Sequence, residues 1–244
     1  DDALLEMESK AYHSPGTCTF YGTANTNQML MELMGLHVPG ASFVPPNCEL
    51  REQLTKEAVK QVLEWSKQRN FERCLANLVD ERSIVNALVG LMATGGSTNL
   101  VIHLIAIAKA AGIVLTLQDI SDVSAVTPLL VKLYPNGSAD VNRFHSLGGT
   151  AYLISELLDN GYLHADIPTI HPDGMSAYRL TPSLDEDGCL MYHHREFEYD
   201  SSVIRRFDES FEPQGGLKLL QGNLGHAVVK ISSVQEAERC IKAP

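Results

Sequence analysis

The stretch Ile84-Val85-Asn86-Ala87-Leu88-Val89-Gly90-Leu91-Met92-Ala93-Thr94-Gly95-Gly96-Ser97-Thr98-Asn99 decides the fold, and it continues as Leu100 to Ala111 with Gly112 behind it. The run from Ile84 to Met92 is apolar almost throughout, breaks at Thr94-Gly95-Gly96, and resumes after hydroxyl and amide residues. This pattern predicts two helices joined at a glycine pair, the second stopped by Gly112. Both are apolar nearly all round, so both are expected to be buried.

Working outward, Gln28 to Met34 reads as a helix closed by Gly35, and Pro39, Gly40, Pro45 and Pro46 mark a loop. Leu50, Leu54, Ala58, Val62 and Trp65 recur at helical spacing, which predicts an amphipathic helix from Leu50 to Lys67. Downstream, Ile113 to Leu117 suggests a short strand and Asp122 to Leu133 a further helix. The loop Tyr134-Pro135-Asn136-Gly137 leads through Phe144 to Gly148-Gly149-Thr150, which opens a helix from Ala151 to Asp159. From Ile167 to Pro213 prolines, glycines and charges are frequent and helical periodicity is lost. Beyond Gly215, Leu217–Leu220 and His226–Ile231 alternate as strands. The expected architecture is α/β: a helix-rich three-layer domain with a crossing segment over residues 1–214, then the first strands of a β-containing domain over 215–244. The opening Asp1-Asp2-Ala3-Leu4-Leu5-Glu6-Met7-Glu8 reads as mid-helix and there is no initiator Met, so the chain is expected to be an internal piece.

With 44% hydrophobic and 20% charged residues over 244 positions, the chain can bury a core without disulfides. A net charge of −11 argues against nucleic acid and anionic membranes as partners, and no apolar run is long enough to span a bilayer. An anionic substrate therefore needs a locally positive site. The five cysteines, Cys18, Cys48, Cys74, Cys189 and Cys240, are odd in number and show no CxxC spacing, which favours a reducing cytoplasm.

Cys18 lies among small residues just before a helix start, where backbone N–H groups and the helix dipole lower a thiol pKa. A lone cysteine is more often a buried structural thiol, and its surroundings in sequence do not decide between the two. Gly95, Gly96, Ser97, Thr98 and Asn99 either cradle an anion on the N–H groups of the following helix or simply cap it. Gly148-Gly149-Thr150 reads as a plain cap and His103 as a core histidine. His193-His194-Arg195 reads as a solvated loop, and Asp80-Glu81, Asp119 and Asp122 as helix-end carboxylates. Nucleophile-elbow, P-loop and dinucleotide-fingerprint spacings are absent.

Four ordered motifs carry a resemblance over nearly the whole chain, weakest from Pro172 to Ser202. Gly16-Thr17-Cys18-Thr19-Phe20-Tyr21-Gly22-Thr23-Ala24-Asn25 resembles the segment bearing the third iron–sulfur cysteine in the dihydroxy-acid/6-phosphogluconate dehydratase family. Ala93-Thr94-Gly95-Gly96-Ser97-Thr98-Asn99 resembles a second signature of that family. Leu133-Tyr134-Pro135-Asn136-Gly137, Gly216-Leu217-Lys218-Leu219-Leu220-Gln221-Gly222-Asn223-Leu224-Gly225 and Cys18-Thr19-Phe20-Tyr21 are similar to the 6-phosphogluconate branch in particular. The resemblance implies a hydro-lyase that converts 6-phospho-D-gluconate to 2-dehydro-3-deoxy-6-phospho-D-gluconate in the Entner–Doudoroff route, working as a cytoplasmic homodimer. It implies Cys18 as one ligand of an iron–sulfur cluster, 4Fe-4S in preference to 2Fe-2S, alongside a divalent cation such as Mg or Mn. The other cluster cysteines and divalent-ion ligands are expected before this segment and the catalytic base after it, so the piece alone is expected to be inactive. A sister enzyme acting on a branched dihydroxy acid or an aldonic acid is the alternative within the family. A non-catalytic anion-binding or subunit-interaction module is the alternative outside it. On the substrate-binding reading of Gly95–Asn99, Gly96→Ala is expected to raise KM at little cost in stability.

Overall fold

The computed structural model describes residues 2–10, 18–194, 196 and 198–234. In chain order the helices are α1 (Asp2–Lys10), α2 (Thr23–Leu33), α3 (Glu49–Gln68), α4 (Leu75–Leu78), α5 (Glu81–Thr94), α6 (Asn99–Ala110), α7 (Leu117–Val126), α8 (Val141–Ser146) and α9 (Gly149–Asp159). Two antiparallel hairpins follow, β1 (Thr181–Leu184) with β2 (Leu190–His193) and β3 (Leu217–Gly222) with β4 (Gly225–Lys230). The molecule is a helix-rich mixed α/β fold, as the sequence predicts. None of the helices among the described residues is long and apolar enough to cross a membrane.

Helix α5 is the centre of the core. Asp80 and Ser83 form a reciprocal capping box at its start, and Gly95 ends it in the left-handed conformation. Every residue from Asn86 to Thr94 is buried. Helices α2, α6 and α7 pack around it. At Gly90 the Leu33 side chain of α2 occupies the space that a Cβ would need. Buried Asn86 clamps the backbone of His164 with both ends of its amide, donating to the carbonyl at 3.0 Å and accepting from the N–H at 2.8 Å.

Helix α6 departs from expectation. It buries Leu100, Val101, Leu104 and Ala108, while Ile102 stays 70% exposed and His103 is exposed rather than a core residue. The segment Ile113–Leu117 is not a strand. Thr116 and Asp119 form a capping box, so α7 starts at Leu117, earlier than predicted. It stops at Val126 because Pro128 disfavours helical geometry at Thr127. Residues 129–133 are therefore extended instead of helical and thread the core: Leu130 and Val131 donate to Ala93 O at 2.7 and 3.1 Å, and Lys132 to Val203 O at 2.9 Å. The β1–β2 hairpin, packed on α3, lies where the sequence shows only lost helical periodicity.

The β3–β4 hairpin pairs Leu217 with Lys230 through Gly222 with Gly225. Its base is tied to the helices. Ser124 Oγ donates to Leu217 O at 2.5 Å, and Gly216 N donates to Met92 O at 3.1 Å. At that point a Cβ on Gly216 would land on the Cα of Gly95 and lie 2.8 Å from Ser232 Oγ. Neither backbone can move without breaking the end of α5. Gly216→Ala is accordingly expected to cost about 1 to 3 kcal/mol of unfolding free energy, read from urea denaturation. A neutral substitution would show that the two backbones are not in contact.

Candidate active site

The Cys18 loop is fixed at several points although its thiol is exposed. The Asn25 side chain donates to both Cys18 O and Phe20 O at 2.7 Å, so one amide closes the loop on itself. Thr19 O accepts from Val141 N at 3.1 Å, and Tyr21 N donates to Tyr134 O at 3.1 Å. Phe20 stacks on Tyr134 with ring centroids 4.8 Å apart. Tyr21 runs into the core, where its hydroxyl lies 2.9 Å from Thr94 Oγ1. Thr94 gives its own proton to Gly90 O at 2.7 Å, which leaves Tyr21 as the donor of that pair. Burial pushes the Tyr21 pKa far up, so it stays a neutral phenol. Cys18 Sγ has Phe20 O as its neighbour at 3.8 Å rather than the N–H groups of α2. Among the described residues the Cys18 thiol is exposed rather than buried. Residues Pro15–Thr17, which precede it in the motif, lie outside the described residues.

The glycine–serine motif meets this loop directly. Ser97 Oγ and Thr23 Oγ1 are 3.0 Å apart, Asn99 Nδ2 donates to Thr23 Oγ1 at 2.8 Å, and Ser97 N donates to Thr26 Oγ1 at 3.2 Å. Asn99 N bonds Ser97 Oγ, Leu100 N bonds Ser97 O and Val101 N bonds Thr98 O. The N–H groups at the start of α6 are thus largely taken up inside the protein. Asn136 Nδ2 donates to Gly95 O at 2.9 Å, which brings the Tyr134–Gly137 loop to the same point. A Cβ on Gly95 would lie 2.5 Å from Ser232 Oγ and 2.6 Å from Asn136 Nδ2. All four motifs therefore meet at the C-terminal end of α5.

Beside the loop is a cavity of about 310 Å³ lined by Cys18, Asn25, Gln28, Ser42 and Arg51, with Val141 at its wall. Arg51 reaches it from α3, its Nε and Nη2 donating to the carbonyls of Ala41 and Val44. Behind it, buried Glu32 accepts from Ser42 N at 2.9 Å and faces His37 at 3.8 Å. Burial raises the Glu32 pKa, with His37 and Ser42 opposing.

Among the described residues, no group of three or more His, Cys, Asp and Glu is placed to hold a metal ion. Cys48 bonds Pro45 O, and Cys74 and Cys189 are exposed elsewhere on the surface. Cys240 and Arg195 lie outside the described residues. His193 ends strand β2 instead of lying in the expected loop, with its ring near Ser183 Oγ, and His194 beyond it is exposed. Asp80 and Asp119 are helix caps, and Asp122 accepts from Gln118.

Residues 1–178 match the family described as dihydroxy-acid/6-phosphogluconate dehydratase N-terminal. The chain belongs to this dehydratase family. It is 53% identical over 244 residues to the phosphogluconate dehydratase of Rhizobium meliloti, covering 100% of this chain and 40% of that protein. With the phosphogluconate dehydratase of Escherichia coli K12 the identity is 48% over 242 residues, covering 99% of this chain and 40% of the relative. With the dihydroxy-acid dehydratase of Thermus thermophilus it is 33% over 237 residues, covering 96% and 40%. The chain thus spans 40% of the length of these relatives.

In this dehydratase chain Cys18 is legible from the motif, whereas the residues that hold it are not. Thr23 and Thr26 act through tertiary bonds to Ser97 and Asn99, Asn25 closes its own loop, and Arg51 sits on a helix that reads only as amphipathic. A Cβ at Gly96 would lie 2.5 Å from Thr26 Cγ2 and 2.8 Å from Leu91 Cδ1. The expectation that Gly96→Ala leaves stability alone is therefore corrected. Gly96→Ala and Asn25→Ala should each lower stability by about 1 to 3 kcal/mol, through overpacking and through two freed carbonyls respectively. Thermal unfolding of the two variants checks this, and an unshifted transition in Asn25→Ala would mean that the clamp is not formed.

Proposed function

We propose that the full-length protein is a hydro-lyase that removes water from 6-phospho-D-gluconate to give 2-dehydro-3-deoxy-6-phospho-D-gluconate, the dehydration of the Entner–Doudoroff route. The observation that carries this reading is the identity of 47–53% to phosphogluconate dehydratases along essentially the whole chain. The 33% identity to a dihydroxy-acid dehydratase keeps the sister activity as the second reading. In this reading the enzyme works as a homodimer in a reducing cytoplasm, with a sugar-acid phosphate as its only small-molecule partner and neither nucleic acid nor membrane.

The reaction takes a proton from C2 and expels hydroxide from C3, both poor groups in water. An iron–sulfur cluster, 4Fe-4S in preference to 2Fe-2S, would supply a Lewis acid when bound, and a divalent cation such as Mg or Mn would supply charge near the carboxylate. Cys18 fits one ligand position, because its thiol is exposed at a cavity while its backbone is immobilised by Asn25, Val141 and Tyr134. A soft ligand on a rigid loop holds its position with little reorganisation. Gly95–Asn99 serves the substrate site by holding that loop to α5 and α6 through Thr23 and Thr26. Proton transfer at C2 and the divalent ion draw on parts of the protein outside this chain.

Anaerobically purified full-length protein, offered 6-phosphogluconate, a branched dihydroxy acid and an aldonic acid, should release a 2-oxo acid preferentially from 6-phosphogluconate. Preference for the branched acid would move the enzyme to the sister branch. Cys18→Ser should lose iron and turnover together, whereas Cys48→Ser, whose thiol bonds Pro45 O, should keep both. Iron and sulfide analysis of the two variants decides the cluster assignment.

A further inference from the structure

We propose that the cavity beside Cys18 receives an oxyanion of the substrate, a carboxylate or a phosphate, and that Arg51 is the cation that binds it. The inference rests on the proposed dehydratase reading and adds a residue to it. Of the three guanidinium nitrogens, Nε and Nη2 are committed to Ala41 O and Val44 O, and Nη1 donates to no described residue. A planar fork that is anchored on one side and open on the other suits an oxyanion.

Arg51 stands between two cavities, and their linings choose the side. One, of about 300 Å³, is walled largely by apolar side chains such as Val38, Leu54, Val62 and Trp65, and its polar members His37, Thr55 and Gln61 already contact Val38 O, Arg51 O and Glu57. The other, of about 310 Å³, holds Cys18 and Gln28, while the Asn25 amide and the Ser42 hydroxyl there already donate to Cys18 O, Phe20 O and Gln28 O. Gln28 Nε2 has only a marginal contact with Asn25 Oδ1, at 3.5 Å, and is open to a better partner. The Glu32 carboxylate, which acts on Arg51 through space, is turned to Ser42 N and has its pKa raised by burial, which limits how far it cancels the guanidinium. Half-burial lowers the Arg51 pKa, yet a guanidinium stays charged at neutral pH. In a chain of net charge −11, a half-buried cation at the cavity beside the motif cysteine is what an anionic substrate needs.

The test uses full-length protein stripped of its cluster, with alkylation of Cys18 followed by peptide mass spectrometry. Iodoacetate carries a carboxylate and iodoacetamide does not, so the ratio of their rates reports local charge and cancels changes in the thiol itself. The ratio should fall about tenfold in Arg51→Gln, the worth of one charge-assisted hydrogen bond, and recover in Arg51→Lys. Inorganic phosphate or acetate should slow iodoacetamide in the wild type and not in Arg51→Gln, and the ion that protects at the lower concentration identifies which end of the substrate is held. Arg51 also anchors a loop, so Gln28→Ala supplies a variant that leaves the loop intact, and it should weaken the protection. An unchanged ratio in a folded Arg51→Gln, or a wild-type Cys18 that neither ion protects, overturns the inference. Turnover is scored separately on the cluster-loaded protein. Dehydration without anion protection removes the Arg51 site and keeps the enzyme, whereas protection without dehydration supports the site and removes the function.

Discussion

Two backbones touch at the C-terminal end of α5, and the arrangement of the candidate site follows from that contact. Gly95 leaves the helix in the left-handed conformation, and Gly216 lies against its Cα with Gly216 N bonded to Met92 O. A side chain on Gly216 would separate them, and one on Gly95 would strike Ser232 and Asn136. Because they meet, the base of the β3–β4 hairpin, the Asn136 amide and the Tyr21 hydroxyl all converge on one turn of buried helix. Close-packed interiors transmit such a constraint over several residues, since no void absorbs a shift. The Cys18 loop inherits its position from this turn through Tyr21 and Thr26.

The chemistry uses that rigidity at its edge. An exposed thiol on a mobile loop would bind metal at an entropic cost, whereas here the loop closes on the Asn25 amide and on neighbouring backbone before any ligand arrives. Arg51 shows the same economy. Two of its nitrogens order the Ala41–Val44 loop, and that anchoring fixes where the remaining one stands. The acidic surface keeps anions away in general, so local donors set where one is accepted.

Helix α3 was legible from its apolar spacing, α5 from its apolar run stopped at Gly95, and α9 from the glycine pair that opens it. The region from Ile113 to Leu133 was not. Ile113-Val114-Leu115 looks like a strand by β-branching, and the apolar run Leu129–Leu133 looks like the end of a helix. The capping box at Thr116 and the break imposed by Pro128 override both signals. The β1–β2 hairpin carries an Asp187-Gly188 turn between Leu184 and Leu190, a local cue that the surrounding prolines mask. At the site, resemblance identified Cys18 while the residues alone favoured a buried thiol. The side chains that hold it depend on partners as many as 76 positions away and leave no local pattern.

The exposed Cys18 thiol, on its anchored loop, is proposed as a metal ligand of a sugar-acid dehydratase. X-ray diffraction from anaerobic crystals of the full-length protein, recorded at the iron absorption edge, tests it most directly. An anomalous peak should appear bonded to Cys18 Sγ and bordering the cavity that Arg51 lines. Iron located elsewhere, with Cys18 a free thiol, would contradict the proposal.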